Sequence, residues 1–418
     1  RHVDPKIGTG GHGHVFVGAN VPFGLVQVGP TSIPQTWDWC SGYHASDSTV
    51  IGFSHTHLSG TGIGDLFDVT VMPVTGDVTY ARGEEADPAS GLWSYADRTQ
   101  EIARPGYYSV PLTRYGIRAE LTATARVGLH RYTFPASDAA AVVFDLENGG
   151  CWDKATETHL AKEGDRTVTG WRHSTGWAKD QRVYFAAEFS KPFEKFETIG
   201  DNYARASFRT TDGEQVSLKV ALSPVSIEGA KANLAAELPG WDFDATAKAA
   251  DKAWNDELSK VKITTADETA RRIFYTALYH TMIAPSLFCD VNGDYYGSDH
   301  AIHRNADFTN YTTFSLWDTY RAAMPLMTVL HPEKMADIVQ TMLHIADEQG
   351  RLPVWHLWGN ETDCMVGNPG IPVVADAIVK GIGGFDREKA FEAIRKTAMN
   401  PDRGNGLRME YGYIPCEM

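Results

Sequence analysis

The chain is predicted to fold as a β domain followed by a helical region, and three observations support this class. In roughly the first 230 residues, long stretches alternate apolar and polar residues, the period of half-buried strands. From Asp242 onward, apolar residues recur every three or four positions, the period of amphipathic helices. The first part also has Gly-rich loops and no interleaved helix pattern, which favours an antiparallel β-sandwich over a parallel sheet.

Four segments carry the strand prediction. Ile117–Phe134 alternates small or apolar residues with polar ones over its whole length. Three further segments share the pattern and are bounded by Gly, Asp, Asn or Pro, namely Ala139–Leu146, Arg182–Phe189 and Val216–Ser226. We therefore assign residues 1–235 to a β-sandwich domain.

Helices are predicted in a linker at residues 236–264 and in a domain at residues 265–418. In the linker, Asp242–Lys260 has an amphipathic pattern. Thr265 and Glu268 have the spacing of a capping box, which predicts a helix that runs to Met282. Further helices are predicted at Leu316–Leu330, Glu333–Gln349, Ile371–Lys380 and Asp386–Thr397. The short connections indicate antiparallel helical hairpins packed in sequence.

Composition excludes several classes of protein. Hydrophobic residues make up 43% and charged residues 22% of the 418, which excludes a mainly disordered chain. The apolar runs are much shorter than the about 20 residues that a membrane span needs. The net charge, 38 − 53 = −15, repels phosphate backbones and argues against nucleic-acid binding. The five cysteines are too far apart to indicate a zinc site or a dense disulfide framework.

The segment 20–68 concentrates Gly, His, Trp and Asp. Trp37 and Trp39 lie on a Gly-rich loop with acidic neighbours, and rings that stack on sugar C–H faces beside carboxylates suit a carbohydrate pocket. Loops packed at a domain interface are the alternative. His55 and His57 would point to one side of a strand, a geometry compatible with a metal ion. Because no third ligand stands at a recognisable spacing, we expect both imidazoles to be held by hydrogen bonds instead.

A second polar and aromatic cluster occupies Asp307–Leu330. On a helix that begins near Ser315, the residues Trp317, Asp318 and Arg321 are neighbours through their i, i+3 and i+4 spacing. Asp318 and Arg321 can pair as a simple surface ion pair. The alternative is that they present a carboxylate and a guanidinium to vicinal hydroxyls beside Trp317 and Tyr320.

A third cluster, Leu352–Gly370, contains Glu361 and Asp363 on a loop flanked by glycines. Hydrolysis of a glycosidic bond uses two carboxyl groups, one as acid and one as base or nucleophile. Because carboxyls so close in sequence rarely straddle a scissile bond, we favour other roles for this pair.

Asp290-Val-Asn292-Gly-Asp294 resembles the start of a calcium-binding loop. Ala301 stands where such a loop needs a Glu, and the helix–loop–helix frame is absent from the pattern. We therefore predict a Gly turn in a connection.

Taken together, these clusters resemble glycoside hydrolase family 92, the calcium-dependent exo-acting α-mannosidases. The matching stretches are GTGGHGHVFVGANVPFGLVQVGP, WDWCSGYH, GFSHTHLSGTG, YTTFSLWDTYRAAMPL and GNETDCMVG, in the family's order. The resemblance implies an N-terminal β-sandwich, a helical linker and a C-terminal (α/α)6 toroid, with the pocket at their interface. About five predicted helices would leave that toroid incomplete in this chain.

The resemblance also implies an activity. Family members release terminal α-linked mannose, most commonly α-1,2, from N-glycans or mannans, with inversion at the anomeric carbon. Their Ca²⁺ engages the sugar's O2 and O3, which positions and polarises the substrate. Such an enzyme would be periplasmic or extracellular, and a chain that begins at Arg1 without a signal peptide is expected of its mature form.

The family's catalytic acid and base have no match in this chain. The Glu lies in an EGNAWQY-type segment and the Asp residues in a GNDDCGQMS-type segment, and we expect both beyond residue 418. The metal ligands are likewise unassigned. The residues that carry over as sugar contacts are Asp318, with Trp317 and Arg321 beside it, and then Trp37, Trp39 and Glu361.

Two other functions stay open at this point. A family 92 enzyme can instead hydrolyse mannose-1-phosphate diesters, in which phosphate leaves readily and a general acid is dispensable. The chain can also be a noncatalytic mannose-binding fragment. A purely structural protein fits least well with three clusters of Trp, Asp and Gly on loops.

Overall fold

The structure is a computed structural model that describes residues 2–416. It divides into two compact units, Arg1–Ala284 (unit 1) and Pro285–Met418 (unit 2). Unit 1 contains the strand segments predicted above, followed by helices, whereas unit 2 combines helices with short strand pairs.

Unit 1 contains sixteen strands in its described residues. They are β1 (Gly29–Thr31), β2 (Thr49–Val50), β3 (Gly52–Ser54), β4 (Thr70–Thr75), β5 (Ser94–Tyr95), β6 (Ile102–Arg104), β7 (Tyr107–Leu112), β8 (Ile117–Ala123), β9 (Val127–Phe134), β10 (Ser137–Asp145), β11 (Lys154–Glu163), β12 (Thr167–Thr175), β13 (Gln181–Phe189), β14 (Lys195–Ile199), β15 (Tyr203–Thr210) and β16 (Glu214–Ser223).

Fourteen of these strands form two large antiparallel sheets, and β2 pairs separately with β5. One has the order β1-β3-β4-β10-β15-β14 and the other the order β11-β12-β13-β16-β9-β8-β7-β6. Aromatic side chains pack between them: Phe144 of β10 stacks on Phe185 of β13 with ring centroids 6.0 Å apart. The predicted β-sandwich is confirmed, and the alternating segment Ile117–Phe134 forms the paired strands β8 and β9.

Three α-helices complete the described part of unit 1: α1 (Ile227–Glu237), α2 (Phe243–Leu258) and α3 (Glu268–His280). Helix α2 confirms the predicted linker helix, and its Phe243 packs in one cluster with Val127 and Leu129 of β9. Helix α1 was not predicted, because its sequence IEGAKANLAAE has no clear apolar stripe.

The predicted capping box of α3 is wrong. The N-cap is Asp267, whose Oδ1 accepts hydrogen bonds from the amides of Thr269 at 2.9 Å and Ala270 at 3.0 Å. Thr265 Oγ1 instead accepts from the amide of Asp267 at 3.1 Å, one step outside the helix. Asp267 is the N-cap because its carboxylate accepts hydrogen bonds from two amides of the first turn. Its negative charge is also stabilised by the positive end of the helix dipole.

In the described part of unit 2, short strands connect the helices. The strands are β17 (Ser286–Leu287), β18 (Tyr295–Tyr296), β19 (Ile302–His303), β20 (Tyr311–Thr312), β21 (Phe314–Ser315), β22 (Trp355–Leu357) and β23 (Asn360–Glu361). The helices are α4 (Leu316–Thr319), α5 (Ala323–Leu330), α6 (Pro332–Gln349), α7 (Gly370–Val379), α8 (Arg387–Met399) and α9 (Asn405–Tyr411). Helices α6, α7 and α8 confirm three of the predictions, while α9 was not predicted.

The single helix predicted for Leu316–Leu330 is wrong. Helix α4 ends at Thr319 and α5 begins at Ala323, with Ala322 in a non-helical conformation (φ −141°, ψ −56°). Pro325 explains the break: it has no N–H to donate to the carbonyl of Arg321, and its ring would clash with that carbonyl in a continuous helix.

Candidate functional site

The first candidate patch lies in unit 1, on a short 3₁₀ turn at Trp37–Trp39. Trp37 is 49% exposed. Its indole N–H donates to the carbonyl of Gly62 at 2.9 Å, which fixes the ring plane. Gly62 is required there, because a Cβ at that position would lie 2.5 Å from the Trp37 ring. The turn therefore presents a fixed, open aromatic face.

Two histidines hold the carboxylate next to this ring. Asp38 Oδ1 lies 2.6 Å from His12 Nδ1 and 3.2 Å from His14 Nε2. The hydrogen bond from His12 is the main reason that the pKa of Asp38 lies below its ordinary value. His14 also packs its ring edge-on against Trp37, with centroids 4.1 Å apart. An ionised carboxylate beside an open ring is suited to a sugar: the ring stacks and the carboxylate accepts from hydroxyls.

Trp39 has a different environment from Trp37. It is only 9% exposed, and its ring stacks on His44 with centroids 4.3 Å apart. Its indole N–H donates to Asp47 Oδ2 at 2.7 Å. These contacts leave Trp37 as the better sugar-stacking candidate, and Trp39 as the residue that supports the loop.

His55 and His57 are buried and satisfied by hydrogen bonds, as expected. His55 Nδ1 lies 2.5 Å from the carbonyl of Val69 and its Nε2 lies 2.8 Å from His130 Nε2. His57 Nδ1 lies 2.8 Å from the carbonyl of Gln27. Burial lowers the pKa of both His55 and His57 to about 4, so both are neutral near pH 7.

The second patch lies in unit 2, around α4. Asp318 is exposed and accepts a hydrogen bond from Ser315 Oγ at 2.5 Å. The Arg321 guanidinium carbon lies 4.5 Å from the Trp317 ring centroid and 4.8 Å from that of Tyr320. Arg321 therefore stacks on two rings, and the described residues show no ion pair between it and Asp318. The exposed carboxylate and the stacked guanidinium are two separate polar groups beside aromatic surface.

The break at Pro325 shapes this second patch. It leaves α4 only four residues long, so Tyr320 and Arg321 follow it in a turn. The sequence pattern placed Tyr320 beside the charged residues, and its ring does lie against the Arg321 guanidinium.

Glu361 is held by hydrogen bonds from its own loop and from the end of α6. Its Oε1 accepts from the amides of Trp355 at 2.8 Å and Asp363 at 3.0 Å. Its Oε2 accepts from the amide of Val354 at 2.8 Å and from Gln349 Nε2 at 3.2 Å. This carboxylate orders the loop, and its role as a sugar contact stays a prediction.

The loop around Glu361 carries backbone strain. Trp358, Asp363 and Met365 have φ values of +47°, +55° and +73°, a region that disfavours side chains other than glycine. Asp363 Oδ1 accepts from Arg403 Nη1 at 2.8 Å, and also from Arg351. Two arginines therefore secure the strained segment, and such over-determined strain is a feature of functional sites.

The residues that resembled a calcium loop do not fit a calcium ion. Gly293 adopts φ +87° in a turn whose amide donates to the carbonyl of Asp290 at 2.9 Å, which confirms the predicted Gly turn. Asp294 Oδ2 lies 2.6 Å from Arg304 Nη1, and its Oδ1 accepts from the amide of Asn305 at 2.9 Å. Because Asp294 is already paired with a cation, this turn offers a poor site for another.

Family models match nearly the whole chain. The model of the glycosyl hydrolase family 92 N-terminal domain matches residues 2–223, and that of the family 92 catalytic domain matches residues 229–418. The chain belongs to glycosyl hydrolase family 92. This confirms the family that the sequence motifs resemble.

Solved family 92 enzymes share the fold of this chain. An α-mannosidase of the family from Bacteroides thetaiotaomicron, solved in complex with mannoimidazole, is 38% identical with a TM-score of 0.95, over 100% of this chain and 57% of its own. An inverting family 92 mannosidase from Bacteroides thetaiotaomicron VPI-5482 is 27% identical with a TM-score of 0.87, over 99% of this chain and 58% of its own.

A curated relative is also similar along the whole chain. It is an uncharacterized secreted glycosidase of Arthroderma benhamiae, 27% identical over 466 residues, which covers 100% of this chain and 55% of the relative. The family 92 chain thus spans a little more than half the length of these relatives. Within residues 2–416, no helix combines the length and apolarity needed to cross a membrane.

Proposed function

We propose that the protein is an exo-acting glycoside hydrolase that releases terminal α-linked mannose, with α-1,2 linkages preferred, from N-glycans or mannans. The observation that carries the proposal is the structural match, along the whole of this chain and 57% of the other, to an α-mannosidase solved with mannoimidazole. The secreted relative supports action outside the cytoplasm, in the periplasm or medium.

The two patches supply the binding side of this proposal. Asp318 accepts hydrogen bonds from vicinal hydroxyls of mannose, since it is exposed and oriented by Ser315. Arg321 donates to a neighbouring hydroxyl, while the Trp317 ring offers a face for sugar C–H groups. In unit 1, Trp37 and Asp38 offer the same combination of ring and carboxylate. Hydrogen bonds from such charged groups contribute about 1.5–3 kcal/mol each.

The chemistry we propose is inverting hydrolysis. One carboxyl protonates the leaving oxygen and a second activates water on the opposite face, with the two about 6.5–9.5 Å apart. We assign neither role to a residue of this chain. Calcium dependence belongs to the proposal because the sequence motifs resemble those of a calcium-dependent family.

The test uses the full-length protein and α-1,2-mannobiose, followed by proton NMR with calcium and then with EDTA. We expect β-mannose to form first and its release to stop with EDTA. A mannose-1-phosphate diester in a parallel reaction identifies the phosphodiesterase alternative. Mannose binding without turnover of either substrate would point instead to a noncatalytic protein.

Asp318→Asn tests the proposed sugar contact in the same assay. The loss of a charged acceptor should lower kcat/KM by about 100-fold or more, equivalent to several kcal/mol of transition-state binding. Asp337→Asn on α6 is the matched control and should leave kcat/KM unchanged. A near-normal kcat/KM for Asp318→Asn would reject the assignment.

A further inference from the structure

Unit 2 contains a second cluster of polar groups, away from the α4 patch in sequence, formed by Asp299, His303 and Glu348 (the carboxylate–imidazole cluster). Each offers one potential ligand atom, and these atoms all lie within 4.8 Å of one another. Two elements bring them together: Asp299 and His303 belong to the β18–β19 hairpin, and Glu348 lies in the last turn of α6.

The hairpin fixes the orientation of the imidazole. Tyr295 of β18 pairs with His303 of β19 in the antiparallel register. Their rings stack with centroids 4.8 Å apart and an interplanar angle of 10°. His303 Nε2 then lies 3.0 Å from Asp299 Oδ1 and 3.5 Å from Glu348 Oε1. One ring nitrogen therefore faces two carboxylates at once.

These separations match those of ligands on one small metal ion. Atoms bound to zinc at about 2.0–2.2 Å lie about 3.4 Å apart at the tetrahedral angle. The two separations of His303 Nε2 from the carboxylate oxygens, 3.0 and 3.5 Å, fall on either side of that value. An ion can therefore enter with only small shifts of the three side chains.

The buried carboxylate of Glu348 independently favours a bound cation. Its side chain is only 5% exposed, and within residues 2–416 His303 is the one basic group at ion-pair distance from it. The carboxylate is oriented by the Tyr295 hydroxyl at 2.9 Å and by the amide of Ser298 at 2.7 Å. Outer hydrogen bonds of this kind orient metal ligands, and a buried carboxylate without a strong cation is otherwise costly.

The backbone at Gly297 approaches the cluster closely. A Cβ on Gly297 would lie 2.7 Å from both Asp299 Oδ1 and His303 Nε2, so only glycine keeps this side open. The adjacent Ser298 Oγ is buried and has no hydrogen-bond partner among the described residues. A metal-bound water is the kind of partner that such a hydroxyl lacks.

We propose that Asp299, His303 and Glu348 bind a divalent transition-metal ion, zinc in particular, which joins the β18–β19 hairpin to the end of α6. One imidazole with two carboxylates is a ligand set that zinc accepts, with water in the fourth position. Calcium prefers oxygen ligands in larger number, so this site differs from the calcium of the proposed mannosidase activity.

The test measures metal binding directly and does not depend on activity. The chelator-treated protein is titrated calorimetrically with zinc chloride and, separately, with calcium chloride. We expect one zinc ion per chain at micromolar affinity and a rise of a few degrees in Tm on zinc addition. No zinc binding at micromolar concentration would overturn the proposal.

His303→Gln and Asp299→Asn should each weaken zinc binding at least tenfold and remove the rise in Tm. Asp299 is partly exposed, so its variant keeps the test valid if His303→Gln fails to fold. His300→Gln, on the same hairpin but outside the cluster, is the matched control and should bind zinc like the wild type. Unchanged zinc binding in Asp299→Asn, or in a folded His303→Gln, would place the ion elsewhere and reject the site.

Discussion

At the scale of single residues, the buried histidines of unit 1 show how the fold selects a protonation state. The Val69 carbonyl can only accept, so His55 Nδ1 carries its proton and His55 Nε2 must accept. His130 Nε2 therefore donates across the 2.8 Å contact, which leaves His130 Nδ1 to accept from the Tyr132 hydroxyl at 2.7 Å. All of these hydrogen bonds can form together only when both imidazole rings are neutral.

This network predicts a loss of stability in acid. The pKa of His55 falls to about 4 and that of His130 lies well below its usual value, chiefly through burial. In the unfolded chain these histidines bind protons near pH 6.5, whereas in the folded protein they do not. Their contribution to the free energy of unfolding is therefore fully present above pH 6.5 and is lost as the pH falls towards 4. For His55, the gap between about 6.5 and about 4 corresponds to about 3 kcal/mol.

The measurement is urea unfolding at several pH values between 7 and 4.5. The His130→Gln side chain keeps a donor and an acceptor but cannot be protonated. Between pH 7 and pH 4.5, the unfolding free energy of this variant should therefore decrease by about 1–3 kcal/mol less than that of the wild type. The half-buried His159→Gln is the control and should keep the wild-type slope. Identical slopes in all three proteins would exclude this pair as a source of the acid sensitivity.

At the scale of elements, α3 tests which residue begins a helix. Asp267 accepts two amides of the first turn, whereas Thr265 accepts one amide outside it. Asp267→Ala should therefore lower the unfolding free energy of unit 1 by about 1 kcal/mol. Asp267→Asn, which retains a hydrogen-bond acceptor, should lower the unfolding free energy by less than half of that amount. The readout is urea unfolding followed by the fluorescence of Trp254, whose ring packs on Tyr279 of α3.

Thr265→Ala separates the two possible caps. We expect a change within about 0.5 kcal/mol, because its hydrogen bond is exposed and lies before the helix. If Thr265→Ala lowered the unfolding free energy more than Asp267→Ala, Thr265 would be the N-cap, as the sequence spacing predicts.

The same elements show what sequence patterns can and cannot predict. The strand pair β8–β9 and the helices α2, α6, α7 and α8 were predicted, because one face of each packs against the core and leaves a period in the sequence. Helix α1 leaves no such period, since only Ala230 and Asn233 are buried along it. The break before Pro325 was not predicted, because the apolar periodicity continues through this segment. The proline itself, which has no backbone N–H to donate, was the feature that indicated a break.

The candidate sites divide in the same way. Trp37 and Asp318 stand out in sequence because they belong to dense local motifs, and the structure leaves both exposed. The pairing of Asp38 with His12 joins residues 26 positions apart, and no local spacing predicts it. Glu348 meets His303 only through tertiary packing of α6 on a hairpin, so no local spacing in the sequence indicates their contact.

At the scale of the whole molecule, the placement of α3 bears on where the first compact unit ends. The sequence pattern predicts a domain boundary at residue 264, whereas the compact units divide at Ala284–Pro285. Helix α3 and the residues after it are tied into unit 1. The amide of Phe23 donates to the carbonyl of Met282 at 2.7 Å, and the amide of Asp4 donates to Thr276 Oγ1 at 3.0 Å.

This difference predicts the behaviour of two fragments, residues 1–284 and residues 1–264. Tyr279, Met282 and Ile283 are at most 2% exposed within the fold, and burial of such side chains contributes about 1.5–3 kcal/mol each. Their removal also exposes Trp254, whose indole donates to the Asn20 carbonyl at 2.7 Å. Fragment 1–284 should therefore unfold in one cooperative transition, with an unfolding free energy about 5 kcal/mol above that of fragment 1–264. Urea unfolding of both fragments measures the difference, and equal stabilities would show that α3 belongs to the helical domain that follows, as the sequence pattern predicts.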